Sequence, residues 1–554
     1  MRHFIPLLFF TLFITNLYAQ HTNPRPFDLE KDLNANPKLV VGVVVDQMRY
    51  DYITRFWNHY GEDGFKKLVS KGFNLRNNHF NYIPTYTGPG HASVFSGAAP
   101  GTHGIIGNNW YDKFDEEYVY CVEDKSVEPV GTMDDAGKMS PHRLITTTVA
   151  DENRLHTQMR GKTIGIALKD RGAVLPAGHT ANAAYWFHGR DEGKWITSSF
   201  YTQELPQWVQ KFNASGKVDS YLKPWTTLAD INSYVESGVD INLFEGGFSG
   251  KEDTGFPYDL RTLKDGNGGY DIVKVTPYGN SLTTDFAIAA LDGEQLGKDD
   301  ITDFLTVSYS STDYVGHNFG VNSKEIQDTY LRLDRDLARL LKALDQKVGA
   351  GNYTLFLTSD HGGVHVPAYL ESVRIPSGYF DWDDLKKELN AFLSGKFANE
   401  NLVENISNNQ IFLNYDEVLK MEVSSEEIQQ EIAHFLLQYE RINRVFTREQ
   451  LQSANYTEKI ASAVDNGFNQ KRSGDVVVIL EPSVISYSRT GSTHGSGNNY
   501  DTHAPLIFYG KGIKAGSSLE RTEIVDIAPT ISALLGIPFP NGATGRPLYI
   551  VMKD

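Results

Sequence analysis

The segment Leu39-Val-Val-Gly-Val-Val-Val45 is a continuous apolar, β-branched run, and Phe304-Leu-Thr-Val-Ser-Tyr309, Tyr353-Thr-Leu-Phe-Leu-Thr358 and Pro505-Leu-Ile-Phe-Tyr509 are similar. Runs that do not alternate predict strands covered on both faces, as in a parallel or mixed α/β sheet. Each of the first three leads straight into a polar residue. Between them Ile326, Tyr330, Leu333, Leu337, Leu340 and Leu344 recur at spacings of three and four, which predicts a long helix packed on that sheet.

The texture changes from Val366 to about Gly474. A helical stretch at Trp382–Leu393 is followed by a β-like Gln410-Ile-Phe-Leu-Asn414. A further helix opens at Ser424, with Glu427 at capping-box spacing and Ile428, Ile432, Leu436 and Tyr439 on one face. The expected organisation is a core in three parts (residues 38–176, 301–365 and 475–554), core with inserted loops over 177–300, and an inserted α+β subdomain over 366–474. The polar, Gly- and aromatic-rich stretch from about Ala177 to Asn280 reads as a second insertion, with loops that could shape a pocket mouth. There is no internal repeat.

The first residues read Arg2-His3, an apolar stretch from Phe4 to about Ile14, then Asn16-Leu-Tyr-Ala19 before Gln20. A basic start, a hydrophobic run too short for a membrane span and a small residue at the cut predict a secretory signal peptide over 1–19, hence a periplasmic or secreted product. No later segment is apolar enough to cross a bilayer. Composition then narrows the chemistry. With 52 Lys+Arg against 69 Asp+Glu the net charge is −17, which disfavours nucleic acid and anionic lipid as partners. A single cysteine, Cys121, excludes an intramolecular disulfide framework and a multi-thiolate zinc site, so a metal would have to use histidines and carboxylates.

Such ligands stand at the predicted strand ends. Asp46 follows the first strand, where open α/β sheets bind ligands. The second strand runs into Ser310-Ser-Thr-Asp313-Tyr-Val-Gly-His317, in which Asp and His four apart face one point on a helical turn. The third delivers Asp360-His361-Gly-Gly, and Ser492-Thr-His494-Gly-Ser-Gly precedes the last. Any one of these residues has an ordinary structural explanation, but three aspartates and three histidines together are what two zinc ions need as three protein ligands each. In Pro84-Thr-Tyr-Thr87-Gly-Pro-Gly-His91, glycine and proline suit a turn entering a helix. That places Thr87 at a helix N-terminus, where free amides favour an oxyanion. Thr87 is the candidate nucleophile, its hydroxyl needing zinc coordination to ionise at neutral pH, and Thr85 and Ser93 compete for the role.

These residues carry a family resemblance. Asp46, Thr87-Gly-Pro-Gly-His91, Pro100-Gly-Thr-His103-Gly-Ile-Ile-Gly-Asn108, Asp313-x-x-x-His317, Asp360-His361-Gly-Gly, Thr493-His494-Gly-Ser and the terminal Asp526-Ile-Ala-Pro-Thr stand in the order of the alkaline phosphatase superfamily. Lys169-Asp-Arg171-Gly resembles the periplasmic, phosphate-irrepressible alkaline phosphatases with a threonine nucleophile. The resemblance implies an alkaline-phosphatase-like α/β core and two Zn²⁺. One ion would be held by Asp46, Asp360 and His361 and would meet Thr87; the other would be held by Asp313, His317 and His494, with His503 a less favoured claimant for the last place. It also implies that Asn108, Lys169 and Arg171 contact the phosphoryl group. Two zinc ions balance three carboxylates and a threonine alkoxide, so Lys169 and Arg171 are left to meet the roughly two negative charges of a phosphate monoester.

The expected activity is therefore a broad-specificity phosphomonoesterase acting on small phosphate esters through a phosphothreonine. A phosphodiesterase or nucleotide pyrophosphatase is the nearest alternative; diesters carry less charge and do not call for two cations. A sulfatase would need a C/S-x-P-x-R segment, which Cys121-Val-Glu-Asp does not provide. A phosphoglycerate mutase would have no use for a secretory leader. An exported protein that binds metal or phospho-ligands without catalysis is a remaining alternative from a different class.

Overall fold

The run Leu39–Val45 is an inner strand of an eleven-stranded sheet in the computed structural model, which describes residues 36–553. Five neighbouring strands are parallel, in the order Tyr353–Thr358, Leu39–Val45, Asp303–Tyr309, Thr163–Ala167, Ala183–His188. Beyond them the sheet turns antiparallel, through His503–Gly510 and Phe73–His79 on one side and Lys194–Ser198 on the other. The apolar runs are continuous because both faces are covered. Val41 and Val43 join Leu305, Val307 and the Leu333, Leu337 and Leu340 face of helix Lys324–Leu344, while Val40 and Val44 join Phe95, Phe304 and Phe356. Each such side chain contributes about 1.5–3 kcal/mol on burial. The helix starts where Ser323 accepts from the Ile326 amide at 3.1 Å.

Register decides where the chemistry sits. Val45 pairs with Tyr309 and Val44 with Thr358, so three parallel strands end level and release Asp46, Ser310 and Ser359-Asp360 along one edge.

Two expectations about organisation need correction. The inserted subdomain does not stop at Gly474: Val476–Leu480 is an inner strand of its four-stranded antiparallel sheet, and Val484–Ile485 pairs with Gly378–Tyr379. An unbroken apolar run is compatible with either sheet, and here it packs with Leu385, Leu389, Ile428 and Ile432 of the subdomain helices. The stretch from Ala177 to Asn280 is not an insertion throughout, since Ala183–His188 and Lys194–Ser198 belong to the main sheet. Ser424 caps the Glu427 amide at 3.2 Å as the spacing predicts. The leader expected over residues 1–19 lies outside the described residues. Among the described residues no helix is long and apolar enough to cross a membrane.

Candidate metal centre

Asp46 leaves its strand with its amide bonded to the Tyr309 carbonyl at 3.1 Å, and Thr312 Oγ1 donates to the Asp46 carbonyl. Asp313 and His317 lie one turn apart on helix Ser311–Phe319. Thr87 is the first residue of helix Thr87–Ser96, which crosses the end of the Tyr353–Thr358 strand so closely that a Cβ at Gly90 would stand 2.2 Å from the Asp360 carbonyl oxygen. Glycine there lets the helix bring Thr87 onto Asp360-His361. His494 arrives on a loop, fixed by a 2.8 Å bond from its Nδ1 to the Thr85 carbonyl.

Nε2 of His361 lies 3.5 Å from Asp46 Oδ1, 3.6 Å from Asp360 Oδ2 and 3.4 Å from Thr87 Oγ1. Nε2 of His317 lies 3.2 Å, and that of His494 3.7 Å, from Asp313 Oδ1. One ligand atom each from Asp46, Asp360 and His361 fall within 4.8 Å of one another, and so do atoms from Asp313, His361 and His494. The His361 and His494 rings stack at 3.4 Å, which joins the two groups into one cluster.

The donor set fits divalent metal. Nδ1 of His317, His361 and His494 faces the carbonyls of Ser492, Gly362 and Thr85 at 2.7, 2.9 and 2.8 Å. A carbonyl can only accept, so each Nδ1 carries the hydrogen and each Nε2 presents a lone pair to carboxylate oxygens. That is the orientation of a metal-ligating imidazole. Burial lowers the His361 pKa, and burial with the neighbouring His361 drives His494 well below the ordinary imidazole range, which favours neutral rings. Buried Asp46 Oδ1 and Asp360 Oδ2 have no hydrogen-bond donor. Burial, then repulsion from Asp313 and Asp360, pushes the Asp46 carboxyl well above its usual range. At Asp313 burial acts in the same sense, but attraction from His317 in its protonated form, and from Lys169, outweighs it and holds that carboxyl well below. The His361 lone pair facing the undonated oxygens Asp46 Oδ1 and Asp360 Oδ2 in a buried site is a repulsive arrangement that a hard or borderline cation converts into ligation.

Lys169 is buried with Nζ 2.7 Å from Asp46 Oδ2, 2.6 Å from Asp313 Oδ2 and 3.4 Å from Thr87 Oγ1. Burial opposes its charge, and Asp313 and Asp46 raise its pKa above the usual lysine value. Asn108 Oδ1 accepts from the Gly88 amide at 2.7 Å, which leaves its Nδ2 to donate elsewhere at the start of the Thr87 helix. Arg171 is held through its Nη1, which donates to Tyr120 Oη at 2.9 Å; that hydroxyl in turn donates to Asp170. The Arg171 Nε is buried without an acceptor. A buried lysine, a half-buried arginine and an amide donor beside the Thr87 helix have the chemistry that suits a multiply charged oxyanion.

Two neighbours escaped the reading of the sequence. Gln47 donates from Nε2 to Asp313 Oδ1 at 2.7 Å and from its backbone to Asp360 Oδ1 at 3.2 Å, with φ of 61°. A neutral amide after a strand-end aspartate has no signature; its adjacency to Asp46 was the only signal. His91, quoted within the glycine-rich turn, sends Nδ1 to the Thr87 carbonyl at 2.9 Å and Nε2 to Ser308 Oγ at 2.9 Å. His503 is spent elsewhere: its Nε2 meets the Arg76 carbonyl at 2.9 Å and its ring stacks on both Tyr50 and His79.

The profile of the type I phosphodiesterase / nucleotide pyrophosphatase family matches residues 40–504. The chain is 45% identical over 541 residues to alkaline phosphatase PafA of Elizabethkingia meningoseptica, covering 97% of this chain and 96% of that one. It is 42% identical over 523 residues to alkaline phosphatase PhoV of Synechococcus elongatus (94% of each), and 46% identical over 523 residues to a Myroides odoratus protein named calcium-transporting ATPase (94% and 95%). The crystal structure of wild-type alkaline phosphatase PafA superposes with a TM-score of 0.90 at 44% identity, over 94% of this chain and 99% of that one. The chain belongs to the type I phosphodiesterase / nucleotide pyrophosphatase family of the alkaline phosphatase superfamily.

Proposed function

We propose that this chain is an exported, metal-dependent phosphomonoesterase that uses two zinc ions and Thr87 as its nucleophile. The observation that carries the proposal is the set of three imidazole lone pairs, each fixed by an Nδ1 bond to a carbonyl, converging on Asp46, Asp313 and Asp360 beside Thr87 Oγ1. Asp46, Asp360 and His361 would hold one ion and Asp313, His317 and His494 the other. When bound, the two ions supply positive charge that favours the ionised forms of the Thr87 hydroxyl, the departing alcohol and the attacking water. Asn108, Lys169 and Arg171 orient the phosphoryl group by donating to its oxygens. Thr87 Oγ1 attacks phosphorus in line as the ester oxygen leaves on the opposite side, giving a phosphothreonine and a free alcohol. Water then attacks from the vacated side and returns inorganic phosphate and Thr87.

The printed names of the PafA and PhoV relatives support a monoesterase, and the family profile keeps a diesterase as a second reading. Lys169 and Arg171 favour the first, because a monoester brings about one more negative charge than a diester. The terminal phosphate of a nucleoside triphosphate would meet the same cations, which accommodates the name of the Myroides relative without a second site. Rates on p-nitrophenyl phosphate and bis-p-nitrophenyl phosphate, before and after chelation and zinc return, test class and branch together. A faster diester reaction, or hydrolysis that survives chelation, would refute the proposal.

A further inference from the structure

A solvent-open cavity of about 330 Å³ adjoins His317. Its walls include Phe248, Ile272, Tyr314, Asn318 and Tyr487, and among the described residues no Lys, Arg, Asp or Glu lines it. The Tyr314 ring is 5.1 Å from the Lys169 ammonium, and the 40% exposed Tyr487 ring is 5.6 Å from that of His317. The cavity therefore borders the site at His317, one of the residues assigned to the ion that does not meet Thr87, and in-line attack by Thr87 sends the ester oxygen toward that ion. Its walls are fastened to the helix that carries His317. The Gly246 amide donates to the Asn318 carbonyl at 2.7 Å and Asn318 Nδ2 to the Gly247 carbonyl at 2.9 Å. The Gly491 amide donates to the Phe244 carbonyl at 2.9 Å, and Tyr487 Oη to the His317 carbonyl at 3.3 Å.

We propose that this cavity is a subsite for the alcohol half of the ester and that it selects uncharged aromatic leaving groups, with the Tyr487 ring as its principal contact. The inference rests on the phosphatase reading and adds a substrate class to it. Flat rings on pre-positioned walls offer stacking area at little ordering cost. A charged leaving group entering the same space would shed water and find no counter-charge. The bare phosphoryl group gains nothing from these walls, so the subsite should act on the organic part alone.

Binding of inorganic phosphate, methylphosphonate and phenylphosphonate to the zinc-replete full chain, followed by calorimetry, tests this without turnover. Phenylphosphonate should bind about tenfold more tightly than methylphosphonate. Tyr487→Ala should shrink that ratio below about threefold with phosphate affinity held, and Tyr487→Phe should keep it, because the ring and not the hydroxyl is the contact. Equal affinities for the two phosphonates, or an undiminished ratio in Tyr487→Ala, would overturn the subsite while leaving the phosphatase reading standing. Failure of all three anions to bind, together with no hydrolysis of p-nitrophenyl phosphate, would overturn the reading and the subsite together.

Discussion

Gln47 tests whether the carboxylates are positioned by their neighbours or by the metals alone. Its Nε2 donates at 2.7 Å to Asp313 Oδ1, the same oxygen that faces His317 and His494. Gln47→Met preserves length and removes that donor; the backbone bond to Asp360 stays. A hydrogen bond to a buried charged group is worth about 1.5–3 kcal/mol. At about 1.4 kcal/mol per decade, affinity for one zinc equivalent should fall about 10- to 100-fold, the range typical of outer partners of metal ligands. Competition against a graded series of chelators reads this directly: one equivalent should leave early and the other, on Asp46, Asp360 and His361, should leave as it does from the native protein. Gly316→Ala reaches the same amide by another route, since a Cβ there would fall 1.9 Å from Gln47 Oε1 and must displace it. If Gln47→Met gives up both equivalents at native chelator strength, with an unchanged melting temperature, the amide fills space and the positioning argument is wrong.

Three further predictions follow from the same geometry. Thr87→Ala should lower phosphomonoester turnover by at least about a thousandfold with zinc content retained; native turnover would remove Thr87 from the nucleophile role. Replacing Lys169 and Arg171 together with alanine should depress monoester hydrolysis far more than diester hydrolysis, and equal losses would count against the monoesterase assignment. Away from the centre, burial pushes the Glu245 carboxyl up to about 8, with Asp240 adding to the rise. Between its ordinary value near 4.5 and about 8 the folded chain keeps a proton that the unfolded chain has released, so stability falls as pH rises through that window. Glu245→Gln should therefore melt higher than the native protein at pH 9, by about 1–3 kcal/mol, and nearly alike at pH 5; a difference independent of pH would contradict this.

The sheet and the candidate ligand positions were legible because buried parallel strands are written as unbroken apolar runs and polar residues follow where those runs end. Asp46 stands where that rule puts it, Asp360-His361 come one residue later after Ser359, and Asp313 lies on the helix that follows its strand. The helix at Lys324–Leu344 was legible through its spacing alone. Sheet membership was not: Val476–Leu480 has the same local character as Leu39–Val45, and only the partner strand separates a subdomain strand from a core strand. The resemblance favoured His494 over His503, but spacing alone did not separate them. What separates them is a carbonyl partner for Nδ1 in one and for Nε2 in the other, a distinction with no trace in spacing. Gln47 and Tyr120 work through hydrogen bonds to residues far along the chain and carry no periodic signal.

The level ends of the three inner strands have a consequence for how this chain can change. Removing one residue from Leu39–Val45, Asp303–Tyr309 or Tyr353–Thr358 would draw a ligand back by about 3.3 Å and turn it to the opposite side of the sheet. Length variation is therefore forbidden within those strands and permitted in the connections that follow the ligands, and it is there, between Val366 and Ile485, that the chain accommodates an entire extra sheet.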